Sequence, residues 1–151
     1  MLRSALPPKT LSAGMIVVRD DGRRYRLLCL RTFESWDFPK CEVPGDEPPL
    51  AVAERSVREA TGIENLALHW GEEYRETVPY EDGRVSRYYM AETAEEEVAL
   101  RLPADADAED DYEYRWVTVD EAEDLLPPRL ALVLDWAVRA LATAPTQGKN
   151  P

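Results

Sequence analysis

The alternation of apolar and polar positions divides the chain into short extended runs with two helical stretches between and after them. Ser12 to Arg19 (S-A-G-M-I-V-V-R) is apolar on successive residues, the pattern of a strand buried on both faces. Asp20-Asp21-Gly22 is a turn signal, and Arg24 to Arg31 (R-Y-R-L-L-C-L-R) completes a predicted hairpin. Thr32 to Asp46 has no helical period; it reads as a loop with one extended piece at Cys41 to Val43.

The first helix is predicted over Pro48 to Thr61. Leu50, Ala53, Val57 and Ala60 form an apolar stripe, and Gly62 stands where a left-handed residue ends a helix. Leu66 to Val78 reads as a strand bent near Gly71, Tyr80 to Gly83 as a turn, and Arg84 to Glu92 as a tyrosine-rich strand. Short strands are expected at Val98 to Leu102 and at Tyr114 to Val117. Thr118 and Glu121 have the spacing of a capping box. Pro128 to Ala142 is the last helix, with Leu130, Leu134, Ala137 and Leu141 on one stripe. The expected division is an arm at 1–12, one domain at 13–142, and a disordered polar tail at 143–151. The expected class is α+β, a mixed sheet between helices in an α/β/α sandwich.

Composition narrows the functions. The formal net charge of -12 argues against nucleic-acid binding, which needs basic surface. It leaves room for a small anion held by a few local cations. Much of the acidity lies between Glu92 and Glu113, where Arg101 is the one basic residue; the plainest reading of this stretch is a solvated loop. Cys29, Cys41 and the single His69 do not make a zinc set of the usual pattern. No apolar run approaches a membrane span, and the N-terminus lacks the apolar core of a secretory signal, so a cytoplasmic protein is expected.

The chemistry-bearing stretch is W-D-F-P-K-C-E-V-P-G-D-E-P-P-L-A-V-A-E-R-S-V-R-E-A-T-G-I, Trp36 to Ile63. It resembles the Nudix box: Gly, five residues, Glu, seven residues, then Arg-Glu-apolar-any-Glu-Glu-any-Gly-apolar. Glu47, Arg55, Val57, Glu59, Gly62 and Ile63 match. Cys41 replaces the first Gly, and Ser56 and Ala60 replace two of the three helical carboxylates. The W-D-F-P-K lead-in and Y-R-W at Tyr114 to Trp116 also resemble the family. S-A-G at Ser12 to Gly14, R-V-S-R-Y-Y-M-A-E from Arg84 and E-Y-R-W from Glu113 are most like its diadenosine tetraphosphate hydrolase branch.

The resemblance implies the Nudix fold and cleavage of a pyrophosphate bond in a nucleoside diphosphate linked to another moiety. It implies Mg²⁺ or Mn²⁺ held by Glu59, Glu47 and an acidic residue such as Asp110. Glu59, Glu47 and Arg55 would be the catalytic set, with Arg55 also able to serve as a structural ion-pair partner. Lys40 and Arg84 would contact phosphates; Tyr88 or Trp36 would stack a base. Carboxylates three and four residues apart share a helix face, so with Ser56 and Ala60 in place only Glu59 remains of that trio. Three readings stay open: a hydrolase with weak metal binding, a hydrolase whose metal ligands have moved to other helix or loop positions, or a silent Nudix domain that binds a nucleotide or a protein partner. Monomer and homodimer both remain open.

Overall fold

The computed structural model describes residues 10–32, 35–101 and 112–143. Its strands are β1 (Thr10–Asp20), β2 (Tyr25–Thr32), β3 (Ser35–Asp37), β4 (Lys40–Glu42), β5 (Arg75–Glu76), β6 (Arg84–Glu92) and β7 (Glu113–Val117). The helices are α1 (Pro49–Thr61), α2 (Val119–Leu125) and α3 (Ala131–Ala142), with a 3-10 turn at Pro128–Leu130. Among the described residues, no helix is long and apolar enough to cross a membrane.

All seven strands join one mixed sheet, and β1 is its axis. It runs parallel to β6 from Thr10↔Arg84 to Val18↔Glu92. Its other edge is shared: Val18 to Asp20 pair with β2, and Ser12 to Gly14 pair with β4. β2 leaves β1 to pair with β3, and it takes β7 on its outer side. The β3–β4 segment therefore enters the opening between β1 and β2, which sets the lead-in loop at the middle of the sheet.

The unbroken apolar run of β1 now has its cause. Ala13, Met15 and Val17 face α1 together with Val52, Val57 and Ile63. Ile16 and Val18 face the opposite layer, with Met90, Leu130, Val133 and Leu134. The sheet is thus covered on both sides, as the sequence pattern predicts.

Three local expectations differ from the structure. Leu66 to Val78 is not one strand: Ala67 makes an isolated bridge to Glu92, and pairing resumes only at Arg75 and Glu76. Between them Gly71 adopts φ 63 in a turn, which breaks the ladder. Residues 98–101 are not a strand. Instead the Ala99 and Arg101 N–H groups donate to the Thr61 and Ala60 carbonyls at 2.9 and 2.8 Å, supplying donors that the last turn of a helix lacks. The buried stripe of α1 is also rotated from the apolar one: Val52, Ala53, Ser56, Val57 and Thr61 are buried. Ser56 and Thr61 count as polar in a pattern. Their hydroxyls, however, donate to the Ala53 and Val57 carbonyls at 2.7 and 2.6 Å and so enter the core satisfied.

Other local signals hold. Gly62 ends α1 at φ 78, its N–H donating to the Arg58 carbonyl, and Thr118 and Glu121 form the reciprocal capping box of α2. β1 begins at Thr10, inside the segment expected as an arm.

Gly14 is required for a different reason, the close approach of two chains. A Cβ there would lie 2.5 Å from the Pro39 carbonyl oxygen and 2.7 Å from Lys40 Cβ. The Met15 N–H donates to the same Pro39 carbonyl at 3.0 Å, so the backbone cannot retreat without losing a bond. Gly14→Ala is expected to cost about 1–3 kcal/mol, the scale of overpacking in a filled interior. A urea-denaturation midpoint equal to that of the wild type would mean that the lead-in loop is not held there.

Candidate functional site

The lead-in loop, α1 and the segment ending at Arg101 enclose a cavity of about 420 Å³. Lys40 and Asp37 border it from the loop, Ser56, Glu59 and Ala60 from α1, and Arg101 from the segment bonded to the end of α1. This brings together the damaged helix face and one of the two predicted phosphate contacts.

The loop side is organised by Asp37. Its Oδ1 accepts from the Phe38 N–H and from the Tyr88 hydroxyl, each at 2.7 Å. Its Oδ2 lies 3.1 Å from Lys40 Nζ and 2.9 Å from Arg129 Nη2. Lys40 Nζ also donates to the Tyr80 hydroxyl at 3.0 Å and to Ser86 Oγ at 3.2 Å, and those two hydroxyls are 2.7 Å apart. Arg129 stands over the Tyr80 ring at 4.9 Å from its centroid. One carboxylate therefore anchors two cations, and the trio carries a formal charge of one positive. Lys40 is held in a fixed direction by three groups, so it has little freedom left to lose on meeting an anion.

The phenols respond in opposite directions. Burial of Tyr88, reinforced by the Asp37 charge, raises its hydroxyl well above the ordinary value of 10.0. Burial also opposes ionisation of Tyr80. There the hydrogen bonds from Lys40 and Ser86 and the charges of Lys40 and Arg129 outweigh it, and the hydroxyl falls below its ordinary value.

The helix side is different. Arg55 Nη1 donates to Glu47 Oε1 at 2.7 Å, and its Nε lies 3.9 Å from Glu59 Oε2. Glu47 is turned onto this arginine and does not border the cavity, while Glu59 borders it with a side chain 64% exposed. Ser56 spends its hydroxyl on the helix backbone, and Ala60 offers a methyl. Cys41 Sγ also borders the cavity, its thiol pushed up by burial and by Glu59.

Mg²⁺ favours several carboxylate oxygens in near-octahedral array. Among the described residues no three His, Cys, Asp or Glu side chains converge. Glu59 and an Arg55-bound Glu47 do not fit a resident Mg²⁺. Asp110, the third predicted ligand, lies outside the described residues, as do Glu109 and Asp111.

The other predicted contacts are placed elsewhere. Tyr88 is fully buried, its ring edge-on to Phe38 at 5.6 Å, and it offers no face to a base. It acts from behind, holding Asp37. Trp36 lies on β3, with the Arg115 guanidinium 4.9 Å from its ring centroid and its other contacts in the core, away from the cavity. Arg84 is at the exposed start of β6, 3.9 Å from Glu81, and does not border the cavity. His69 is 3.4 Å from Glu92, also away from it. The sequence did not single out Asp37, Tyr80, Ser86, Arg101 or Arg129. Asp37 sits inside the quoted W-D-F-P-K run; Arg129, 92 residues from its partner, carries no local signal.

Comparison with known proteins bears on this arrangement. The family model described as NUDIX domain matches residues 8–137. No curated protein matches the chain. Among solved structures, an Ap4A hydrolase from C. elegans in a binary complex is similar at TM-score 0.74 and 18% identity, covering 88% of this chain and 98% of that one. A MutT protein from Methanosarcina mazei Go1 is similar at TM-score 0.64 and 20% identity, covering 90% and 97%. The NUDIX domain of NrtR from Shewanella oneidensis, complexed with ADP ribose, is similar at TM-score 0.64 and 12% identity, covering 89% and 90%. At these identities the likeness is one of fold.

The Tyr88 contact yields a pH dependence with a definite sign. Its folded-state value is raised, so its contribution is fully present below the unfolded value near 10.0 and is lost as pH rises from there toward the folded value. Tyr88→Phe is expected to destabilise by about 1.5 kcal/mol near neutrality, the worth of a hydrogen bond to a charged group. Urea denaturation should show this gap narrowing above pH 10; a gap that widens there contradicts the assignment.

Proposed function

The chain belongs to the Nudix family, and we propose that its cavity takes a nucleoside diphosphate linked to another moiety, a dinucleoside polyphosphate being the nearest chemical type. In this reading it is a Nudix-type pyrophosphohydrolase whose turnover is low because its metal face is incomplete. The observation that carries the reading is the shared cavity of Lys40 and Glu59. In this reading Lys40 is the pre-oriented cation for phosphate, on the border it shares with the one helical carboxylate that remains. Two of the similar structures support the ligand class: one is an Ap4A hydrolase, and the other holds ADP ribose. Both ligands contain a nucleoside diphosphate joined to a second group.

The division of labour follows from the residues. Lys40 binds a phosphate oxygen and is kept in place by Asp37, which Arg129 and Tyr88 fix in turn. Arg55 orients Glu59 and Glu47. The apolar part of the cavity, with Leu30, Phe38 and Leu100 on its border, excludes water from the linked moiety. The free thiols Cys29 and Cys41 suit the reducing cytoplasmic setting expected from the sequence.

A second reading has its own observation. Arg55 engages both remaining glutamates, which favours a silent binding domain in which these carboxylates serve the fold alone. The two readings separate in one experiment. Turnover of a dinucleoside polyphosphate panel by micromolar protein, with Mg²⁺ or Mn²⁺, should be measurable for the wild type under the first reading and absent under the second. Ala60→Glu, at a half-buried position, should raise Mg²⁺-dependent turnover at least about tenfold, and Ser56→Glu with Ala60→Glu further. If the double variant folds and neither its Mg²⁺ affinity nor its turnover changes, the metal face has been misplaced.

A further inference from the structure

The misfit between α1 and a divalent cation has a counterpart beside the end of that helix. We propose that Arg101 supplies directly the positive charge that a complete carboxylate face would recruit as metal, so that the cavity binds pyrophosphate in the absence of divalent ions. The proposal rests on the nucleotide reading above and names which residue neutralises the phosphates.

The placement of Arg101 is fixed by its backbone. Its N–H donates to the Ala60 carbonyl at 2.8 Å, and the Ala99 N–H donates to that of Thr61 at 2.9 Å. The segment is thereby clamped to the last turn of α1, next to the two positions where carboxylates are replaced. The guanidinium crosses the helix end: Nη2 is 3.5 Å from where a Cβ on Gly62 would stand. It borders the same cavity as Ser56, Glu59, Ala60 and Lys40.

A cation at a helix C-terminus has an ordinary explanation, attraction to the terminal carbonyls. Here the Ala60 and Thr61 carbonyls already accept backbone N–H groups, and among the described residues the guanidinium donates to neither. Two other cations near the site are committed, Arg129 to Asp37 and Arg55 to Glu47 and Glu59, while Lys40 stands on the cavity border with Asp37 beside it. Among the described residues Arg101 has no ion pair, in a chain of net charge -12. A planar fork of N–H donors suits two phosphate oxygens at once. With Lys40 on the border of the same cavity, it provides two cations for a bridging pyrophosphate, and the methyl of Ala60 places no negative charge against them.

The test is isothermal titration of the full-length protein with inorganic pyrophosphate and with diadenosine tetraphosphate, in EDTA and again with Mg²⁺. Wild type is expected to bind both in EDTA. Arg101→Gln should weaken both by at least about tenfold in EDTA, the scale of a lost charge-assisted contact, and Arg101→Lys should recover part of it. Arg101 is exposed, so an unchanged melting temperature for both variants is the control for folding. Binding that appears only with Mg²⁺, or that is equal in wild type and Arg101→Gln, overturns the proposal and leaves the nucleotide reading standing. Failure of the wild type to bind either compound under both conditions overturns the nucleotide reading and this proposal with it.

Discussion

Everything at the site depends on one close approach, the Pro39–Lys40 backbone lying against a residue of β1 that has no side chain. Gly14 faces Lys40 on one edge of β1 and Tyr88 on the other. The absent Cβ brings three consequences within reach of one another: the edge of β1 divides between β4 and β2, the lead-in loop enters the sheet, and the Tyr88 hydroxyl reaches Asp37. A larger residue would push the loop outward against the Met15–Pro39 hydrogen bond. The family-like S-A-G sequence thus has a mechanical meaning in the third residue, independent of any ligand.

Asp37 then converts backbone proximity into chemistry. It sits between a buried phenol and two cations, and it accepts from the backbone as well. Isolated surface ion pairs are worth little because solvent screens them and long side chains resist ordering. Here the partners are part-buried and share hydrogen bonds, so the network fixes direction more than it adds stability. A lysine so held has its direction set by the fold alone. The helix side lacks a comparable arrangement: Glu59 extends into solvent, and Ser56 has turned inward.

The sequence reveals what is local and conceals what is remote. The hairpin, the Gly62 stop and the capping box each depend on residues a few positions apart, and each is found where the pattern places it. The expected strand at Leu66 to Val78 fails because Gly71 turns the chain between the Ala67 bridge and the pairing at Arg75. The α1 stripe is misread because serine and threonine can satisfy themselves on their own helix, which residue polarity does not express. The family signature locates Lys40 and Glu59 at the cavity. It also suggests Tyr88 as a base contact, whereas β6 directs that ring into the core. Arg129 and Arg101 had no local marker, since their neighbours at the site come from distant parts of the chain.

That remoteness has a kinetic meaning. Lys40 meets Ser86 across 46 residues and Asp37 meets Arg129 across 92. Each such contact closes a long loop, whose entropy must be met before the contact returns anything. Lys40, Arg129 and Arg101 therefore have no native arrangement in a chain that has formed only its hairpin and α1. They come into register when β6, the 3-10 turn and the segment at Arg101 have all docked. The cavity border and the fold are therefore completed together, and an occupied cavity would hold together parts of the chain far apart in sequence.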